Sequence, residues 1–432
     1  MSGEVRRLAL PILIGMVSDS VLSLVSLISV SRLSDEAVAA TGLASYFFFI
    51  VNSLASIFNI GLLIVASQAY GAGKIDALRK AVNESLTLSL ITSLILYVTS
   101  FIWLPPYINV MSGSNPQIAE LATAYLSYRI LSVPALMLNQ VLATAYRAVD
   151  KPWPSAYASI AISASGCILI PSMALGFFGS PALGVIGAGM ASAISQYVGL
   201  PTYLFFKLPF RIGFSIPSNL IVRVLAVGAP AALERVVASV GQNIYINAVA
   251  KSGSLALAAH NIGITVESLV INPIFAVSIA TSAKTGHRVG ANNVMELSNL
   301  LKEGIKVSVS WMGGATLLLI AISPFVGRFF TQNPEIAKLV TAYLILAAIS
   351  ELGLGVAQAF YGAFRGMGST WAPLAISSAT VILLRATLAQ LLQPYYGVLG
   401  VWFTQITDMY GRTVASILLY KMLKNKLIIK VV

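Results

Sequence analysis

Five carboxylates stand inside long apolar runs of this sequence: Asp19 in MVSDSVLSLVS, Glu234 in APAALERVVAS, Glu267 in GITVESLVINPIF, Glu351 in LAAISELGLGV and Asp408 in TQITDMYGRTV. The other ten acids lie near turns or at the ends of such runs. A charge held among apolar neighbours at bilayer depth costs several kcal/mol unless it is paired, hydrated or protonated. A carboxyl removed from water favours its neutral form and can release its proton when water or a second ligand arrives. That is the physical requirement for coupling a proton or small cation to the movement of something else.

Arginines compete for the same acids. Arg129, Arg235, Arg385 and Arg412 share the apolar runs. Asp408 and Arg412 are spaced i,i+4 on one helix face and form a ready ion pair of structural character. Glu234 adjoins Arg235, which points elsewhere on the helix, so its partner must come from another element. Glu351 has pairing with Arg129 or Arg385 as its alternative to a coupling role. Asp19 has no base on its own run; Ser18 and Ser20 flank it, and Ser26 lies two turns further along the same face. Glu267 precedes Pro273 by six residues, and a proline inside a span frees a backbone carbonyl that can ligate a cation or water. Asp19, Glu267, Glu234 and Glu351 are therefore the candidates for cation coupling or substrate binding. Ser26, Asn52, Asn139, Gln140, Gln242, Gln358 and Tyr361 are polar residues on the same runs and candidates for lining a cavity. Most such groups bond to neighbouring helices, contributing about 1 kcal/mol or less. His260 reads as a packing or hinge residue, and Tyr46-Phe47-Phe48-Phe49 as a lipid-facing or interface run.

The elements that must position these groups are membrane spans. The chain has 432 residues, 57% of them hydrophobic and 10% charged, against about 25% charged in a soluble domain. Apolar stretches able to cross roughly 30 Å of hydrocarbon fall near 8–31, 44–69, 85–104, 120–145, 155–178, 184–206, 221–249, 256–283, 305–328, 336–363, 371–394 and 397–423. Turn and breaker signals separate them, among them Leu104-Pro105-Pro106, Gly179-Ser180-Pro181 and Gln393-Pro394. The N-terminus reads as the first span, because no small-residue cleavage site follows its apolar run. Nineteen Lys and Arg fall on the side holding both termini and the even-numbered loops, against four on the other. Both termini are thus expected in the cytoplasm of a multi-pass inner (plasma) membrane protein.

One cysteine and two histidines leave no disulfide framework and no metal site. The net charge of +12 sits in short loops rather than on one face, which argues against nucleic acid. No GxxxxGK[ST] loop is present, so no enzymatic ATP hydrolysis of that kind and no cofactor is expected; the energy must come from an ion gradient.

The chain is also a duplication. NPQIAELATAYL at 115–126 returns as NPEIAKLVTAYL at 333–344, identical at nine of twelve positions, 218 residues later. At an offset of 219, Pro11 meets Pro230, AVAA at 37–40 meets ALAA at 256–259, and Gly71-Ala72 meets Gly290-Ala291; GVIG at 184–187 meets GVLG at 397–400. Six spans per copy give parallel repeats, typical of transporters in which one half rocks against the other. The expected division is an N-terminal six-helix lobe at 1–206, a cytoplasmic linker at 207–222 and a C-terminal six-helix lobe at 223–432. The linker reads equally as an interfacial amphipathic segment or an ordinary loop.

With AVAATGLA and ALAAHNI opening the second span of each half, QAYGAG at 68–73, GHRVGAN at 286–292, GAPAALE at 228–234 and FRGMGSTWAP at 364–373, the chain resembles the multidrug and toxic compound extrusion (MATE) family of cation-coupled antiporters. The resemblance implies an all-α integral membrane fold of twelve transmembrane helices in two parallel-repeat lobes, arranged as a V around a central cavity. It also implies a monomer in the lipid bilayer that exports amphiphilic, often cationic, small organic compounds in exchange for H⁺ or Na⁺. A flippase for a lipid-linked saccharide, or a membrane protein that kept the fold without transport, are the alternatives. The family's acidic positions are displaced here. Where relatives carry a first-span aspartate this chain has Ser26, and their fifth-span Asn-x-x-x-Asp-Pro is Gly166 and Ile170. A seventh-span glutamate position falls on Ala238, one turn past Glu234. The tenth-span acid falls on Leu354, one turn past Glu351.

Overall fold

The computed structural model describes residues 3–112 and 115–432. The described residues are almost wholly helical, with no strand among them. Among the described residues twelve long helices follow one another: α1 Glu4–Ser31, α2 Asp35–Gly71, α3 Ile75–Met111, α4 Pro116–Ala148, α5 Trp153–Leu175, α6 Gly184–Thr202, α7 Asn219–Lys251, α8 Ser254–Gly290, α9 Leu297–Phe330, α10 Pro334–Gly366, α11 at 371–396 and α12 at 398–423. In hydrocarbon only a helix satisfies all its own backbone groups, so apolar runs of this length have no other solution. Large side chains such as Phe101, Ile102, Phe329 and Leu391 stand exposed along them, as a chain solvated by lipid requires.

Two expected breaks are not breaks. α3 continues through Pro105 and Pro106 to Met111; the carbonyls those prolines leave unpaired belong to Phe101 and Ile102, on an exposed turn where the loss is least costly. Pro394 is likewise inside its helix. The chain instead turns at Gly397, whose φ of 58° and ψ of −149° are open only to glycine. α8 does break, at Asn272-Pro273, into Ser254–Ile271 and Ile274–Gly290.

The repeated Asn-Pro motifs start α4 and α10. Asn115 Oδ1 accepts from the backbone N–H groups of Gln117 and Ile118, and Asn333 Oδ1 from those of Glu335 and Ile336, with proline at the first helical position in each case. A second pair of caps is also repeat-related. Glu84 on α3 accepts from Ser218 Oγ at 2.6 Å and from the Ile221 N–H at 3.1 Å, at the start of α7. Glu303 on α9 accepts from the Val5 and Arg6 N–H groups at 2.9 and 3.4 Å, at the start of α1. The two glutamates are 219 residues apart. Carboxylates at helix N-termini meet unpaired N–H groups and the positive end of the helix dipole. Residues 207–218 form no regular helix; they lie on α3, where Asn83 Oδ1 and Thr87 Oγ1 accept from the Gly213 and Ser215 N–H groups.

The chain forms two compact units. One comprises the segment through Leu10, Ser67–Gly73 and Ala229–Val432; the other comprises Pro11–Ala66 and Lys74–Gly228. α1 passes from one unit to the other at Pro11, and α7 passes back one residue before Pro230. In the first unit α10 packs tightly on α8: a Cβ on Gly362 would sit 2.4 Å from Ser278 O, and one on Gly366 2.4 Å from Ser282 O. Its core joins Tyr245, Leu319, Val340, Tyr343, Leu344 and Trp402.

Candidate functional site

The unit containing Ala229–Val432 holds four of the five intramembrane acids. Glu267, on the first half of α8, is buried between two donors. Tyr343 Oη on α10 donates to its Oε2, and Gln405 Nε2 on α12 donates to its Oε1. Tyr343 is held edge-on to Trp402 and to His260, with ring centroids 5.2 and 5.1 Å apart. Glu351, two turns past Tyr343 on α10, is fully buried, and neither of its oxygens has a donor among the described residues. What it meets is the Glu267 carboxyl, within hydrogen-bonding reach. Two ionised carboxylates are both acceptors, so the contact becomes a hydrogen bond only when one of them carries a proton.

Asp408 lies one turn beyond Gln405 on α12 and is also fully buried. Arg412 Nε and Nη2 donate to its two oxygens at 2.8 and 2.9 Å, the planar fork that makes arginine the best partner of a carboxylate. Arg385 Nε approaches the same carboxylate at 3.6 Å, while Arg385 Nη1 donates to Gln242 at 3.3 Å and its guanidinium lies 5.2 Å from the Tyr245 ring centre. Arg385 is carried on a π-helical turn, Val381–Thr387, a local widening that recurs at functional positions. Glu351 feels both arginines. The formal count of this cluster is three acids, Glu267, Glu351 and Asp408, against two bases, Arg385 and Arg412, and so minus one.

Glu234 stands apart from the carboxyl pair. Arg365 Nη2 at the end of α10 donates to its Oε2 at 2.8 Å, so its partner does come from another helix; Arg235 is exposed beside it. Gln358 and Tyr361 lie between Glu351 and Arg365 on α10. Gln358 Oε1 and the Tyr361 hydroxyl are buried without a hydrogen-bond partner among the described residues.

In the other unit, Asp19 is exposed, and Ser163 Oγ donates to its Oδ1 at 3.3 Å. Ser26 is half-buried further along α1. The amide candidates bind one another or the backbone. Gln140 Nε2 donates to Asn52 Oδ1 at 3.1 Å, Asn52 Nδ2 to Phe48 O at 2.8 Å, and Asn139 Nδ2 to Gln196 O at 2.8 Å. Arg129 has a tyrosine, not an acid, as its partner: Nη1 donates to Tyr125 Oη at 2.7 Å and the guanidinium lies 4.2 Å from the Phe48 ring centre.

Tyr343 and Gln405 were not among the residues singled out from sequence. The signal for Tyr343 was the repeat itself, since it is the tyrosine of NPEIAKLVTAYL. The repeat also shows how the halves differ. At the offsets of 218, 219 and 213 already given, Tyr343 corresponds to Tyr125, Glu267 to Phe48, Glu351 to Val133, Asp408 to Ser195 and Arg412 to Gly199. The tyrosine is common to both copies; the acids around it belong to the second alone.

Comparison with known proteins agrees with the duplication. The family model MatE matches twice, over residues 11–172 and 230–391, so the second match begins 219 residues after the first. A probable multidrug resistance protein NorM from Thermotoga maritima is 25% identical over 428 residues, covering 96% of this chain and 91% of that protein. A probable multidrug resistance protein YoeA from Bacillus subtilis is 27% identical over 405 residues, covering 91% and 87%. Among solved structures, the D35N mutant of the Vibrio cholerae MATE transporter VcmN superposes with a TM-score of 0.89 at 18% identity, covering 98% of this chain and 97% of that one. An outward-facing multidrug resistance MATE transporter gives 0.86 at 23% identity, covering 98% and 95%. The fold is therefore an all-α membrane fold of twelve transmembrane helices in two six-helix lobes. Since the family model covers three quarters of its length, the chain belongs to the MatE family.

Proposed function

We propose that this protein is a secondary active exporter of amphiphilic, often cationic, organic compounds, driven by inward movement of H⁺ or Na⁺, and that it works by alternating access. The relatives named as multidrug resistance proteins support the class of substrate. The observation that carries the coupling is the buried Glu267–Glu351 carboxyl pair, set in a cluster whose formal charge is minus one. One proton or one monovalent cation cancels that charge, and losing it in the dry interior is costly unless water or a conformational change compensates. Asp408 and Arg412 serve as the fixed ion pair of the cluster, and Glu234 is held by Arg365. Asp19, exposed with one neutral donor, is the carboxylate of the first half best placed to meet a cationic substrate.

The halves 1–206 and 223–432, joined by 207–222, are the moving bodies in this reading, with both termini in the cytoplasm of the cell membrane and the chain acting as a monomer. The test is ethidium transport in proteoliposomes under an imposed pH or Na⁺ gradient. Glu267→Gln and Glu351→Gln should each abolish gradient-driven accumulation while the protein remains folded and monodisperse. Wild-type accumulation in both variants would remove the pair from the mechanism.

A further inference from the structure

Glu351 lies midway along α10, so an ion that binds at the carboxyl pair must also have a way out. α10 carries polar residues on one face from that pair to its end: Glu351, Gln358, Tyr361 and Arg365, spaced by seven, three and four residues. Residues so spaced share one helix face. The stripe is about 21 Å long at 1.5 Å per residue. Five of its polar atoms are buried and without hydrogen-bond partners among the described residues: both Glu351 oxygens, Gln358 Oε1, the Tyr361 hydroxyl and Arg365 Nε. Buried polar groups left this way are rare, and a row of them on one helix face marks a place where water completes the bonding. Arg365 is held by its own carboxylate, Glu234, and Arg412 by Asp408, which it shares with Arg385. With Glu267 and Glu351 beside them, the two arginines of the cluster face three acids, so the inner end of the stripe is not closed to a cation. Tyr361 is within electrostatic reach of Asp408, Arg412, Glu234 and Arg365.

The duplicated half supplies an internal comparison. The residues corresponding to Glu351, Gln358, Tyr361 and Arg365 are Val133, Gln140, Ala143 and Arg147. Gln140 there is bonded to Asn52, and Arg147 Nε donates to Ser155 Oγ at 3.2 Å. The same scaffold in the first half thus lacks both the acid at the inner end and the hydroxyl at the middle.

We propose that this face of α10 is a proton route, in which Gln358 and Tyr361 organise a file of water between the Glu267–Glu351 pair and the Glu234–Arg365 end of the helix. The inference rests on reading that carboxyl pair as the coupling site. In the transfer, the O–H bond of the protonated carboxyl breaks and leaves a carboxylate. The adjoining water gains that proton and passes another one on. The Tyr361 hydroxyl accepts on a lone pair as it donates its own proton, so it ends unchanged. The final proton leaves to solvent at the end of α10 that the charge asymmetry assigns to the cytoplasm. Gln358 and Tyr361 are positioning residues for this file rather than ion ligands.

Proteoliposomes carrying an internal pH dye and loaded with ethidium separate the possibilities. Tyr361→Phe removes the hydroxyl while keeping the ring, and Gln358→Leu removes the amide independently should the first variant fold poorly. Both are expected to slow pH-gradient-driven ethidium flux and the accompanying internal pH change by about tenfold or more, on the scale of a lost proton-transfer partner. Ethidium–ethidium exchange at equal pH, which needs no net proton movement, should stay at the wild-type rate. Wild-type proton-driven flux in both variants overturns the route; if Glu267→Gln and Glu351→Gln are inactive in the same assay, the coupling site survives that result. Flux driven by Na⁺ alone and indifferent to pH also overturns the route. Full activity of both glutamine variants removes the coupling site, and the route with it.

Discussion

The cluster around Asp408 makes an unequal demand on its members, and the inequality is measurable. Asp408 is shared: Arg412 holds both of its oxygens at 2.8 and 2.9 Å, and Arg385 approaches at 3.6 Å. At an effective dielectric near 20, opposite charges about 4 Å apart attract by about 4 kcal/mol, so each contact is worth a few kcal/mol against the desolvation of its ions. Asp408→Asn strands two buried guanidinium groups at once. The loss expected on breaking a buried pair, about 3–5 kcal/mol, should be met or exceeded. Arg412→Met removes the bidentate partner but leaves the carboxylate with Arg385, and should fall at the lower end of that range. Arg385→Met leaves the bidentate pair intact and should cost least, about 1–2 kcal/mol. Reversible unfolding in mixed detergent micelles, followed by tryptophan fluorescence, gives the three losses on one scale. The reasoning predicts an order, Asp408→Asn above Arg412→Met above Arg385→Met. It is refuted if Arg412→Met costs as much as Asp408→Asn, because Asp408 would then not be the shared centre of the cluster.

Two further perturbations test how the helices are held. Replacing Glu84 with alanine leaves the Ile221 N–H and Ser218 at the start of α7 without their acceptor; a loss of about 1–2 kcal/mol in the same unfolding measurement is expected, and an unchanged midpoint would exclude a capping role. Gly362→Leu forces a side chain into the carbonyl of Ser278, 2.4 Å from the new Cβ, and should cost about 1–3 kcal/mol or prevent folding. Gly314→Leu, where a new Cβ meets nothing within 4 Å, should be tolerated; equal losses at both sites would refute the packing argument.

The span pattern was legible because lipid imposes one rule on every residue at once: a run of about twenty apolar residues has to be a helix. The breaks were less legible. Pro105, Pro106 and Pro394 carry the residue type that ends helices in water, yet each is retained inside one. The true break, Gly397, depends on a backbone conformation that no pattern of hydropathy reports. The i,i+4 spacing disclosed Asp408 and Arg412, since both partners lie on one helix. The partners of Glu267 and Glu234 lie 76 and 131 residues away in sequence, and only the packing of α8 on α10 and α7 on α10 selects them. For the amides the difficulty was the reverse. Asn52, Asn139 and Gln140 announce polar chemistry by their type, but their amide N–H groups donate to one another or to the backbone.

Duplication makes the divergence of the halves informative. Where the two copies do the same mechanical work they have kept the same residue: Asn115 and Asn333 cap α4 and α10, Glu84 and Glu303 cap α7 and α1, and Pro11 and Pro230 fall where α1 and α7 pass between the two units. Where they differ in kind, the difference is charge. Tyr125 accepts a hydrogen bond from Arg129 in the first copy, whereas its counterpart Tyr343 donates one to Glu267 in the second. A hydroxyl can do either, so one conserved tyrosine accommodates a fixed cation in one half and an ionisable acid in the other. A buried carboxyl pair is costly in hydrocarbon and a leucine at either position would not be. The second copy alone holds the pair, with the shared tyrosine and two arginines around it, and the proposed coupling role is what would account for keeping so costly an arrangement in one copy and not the other.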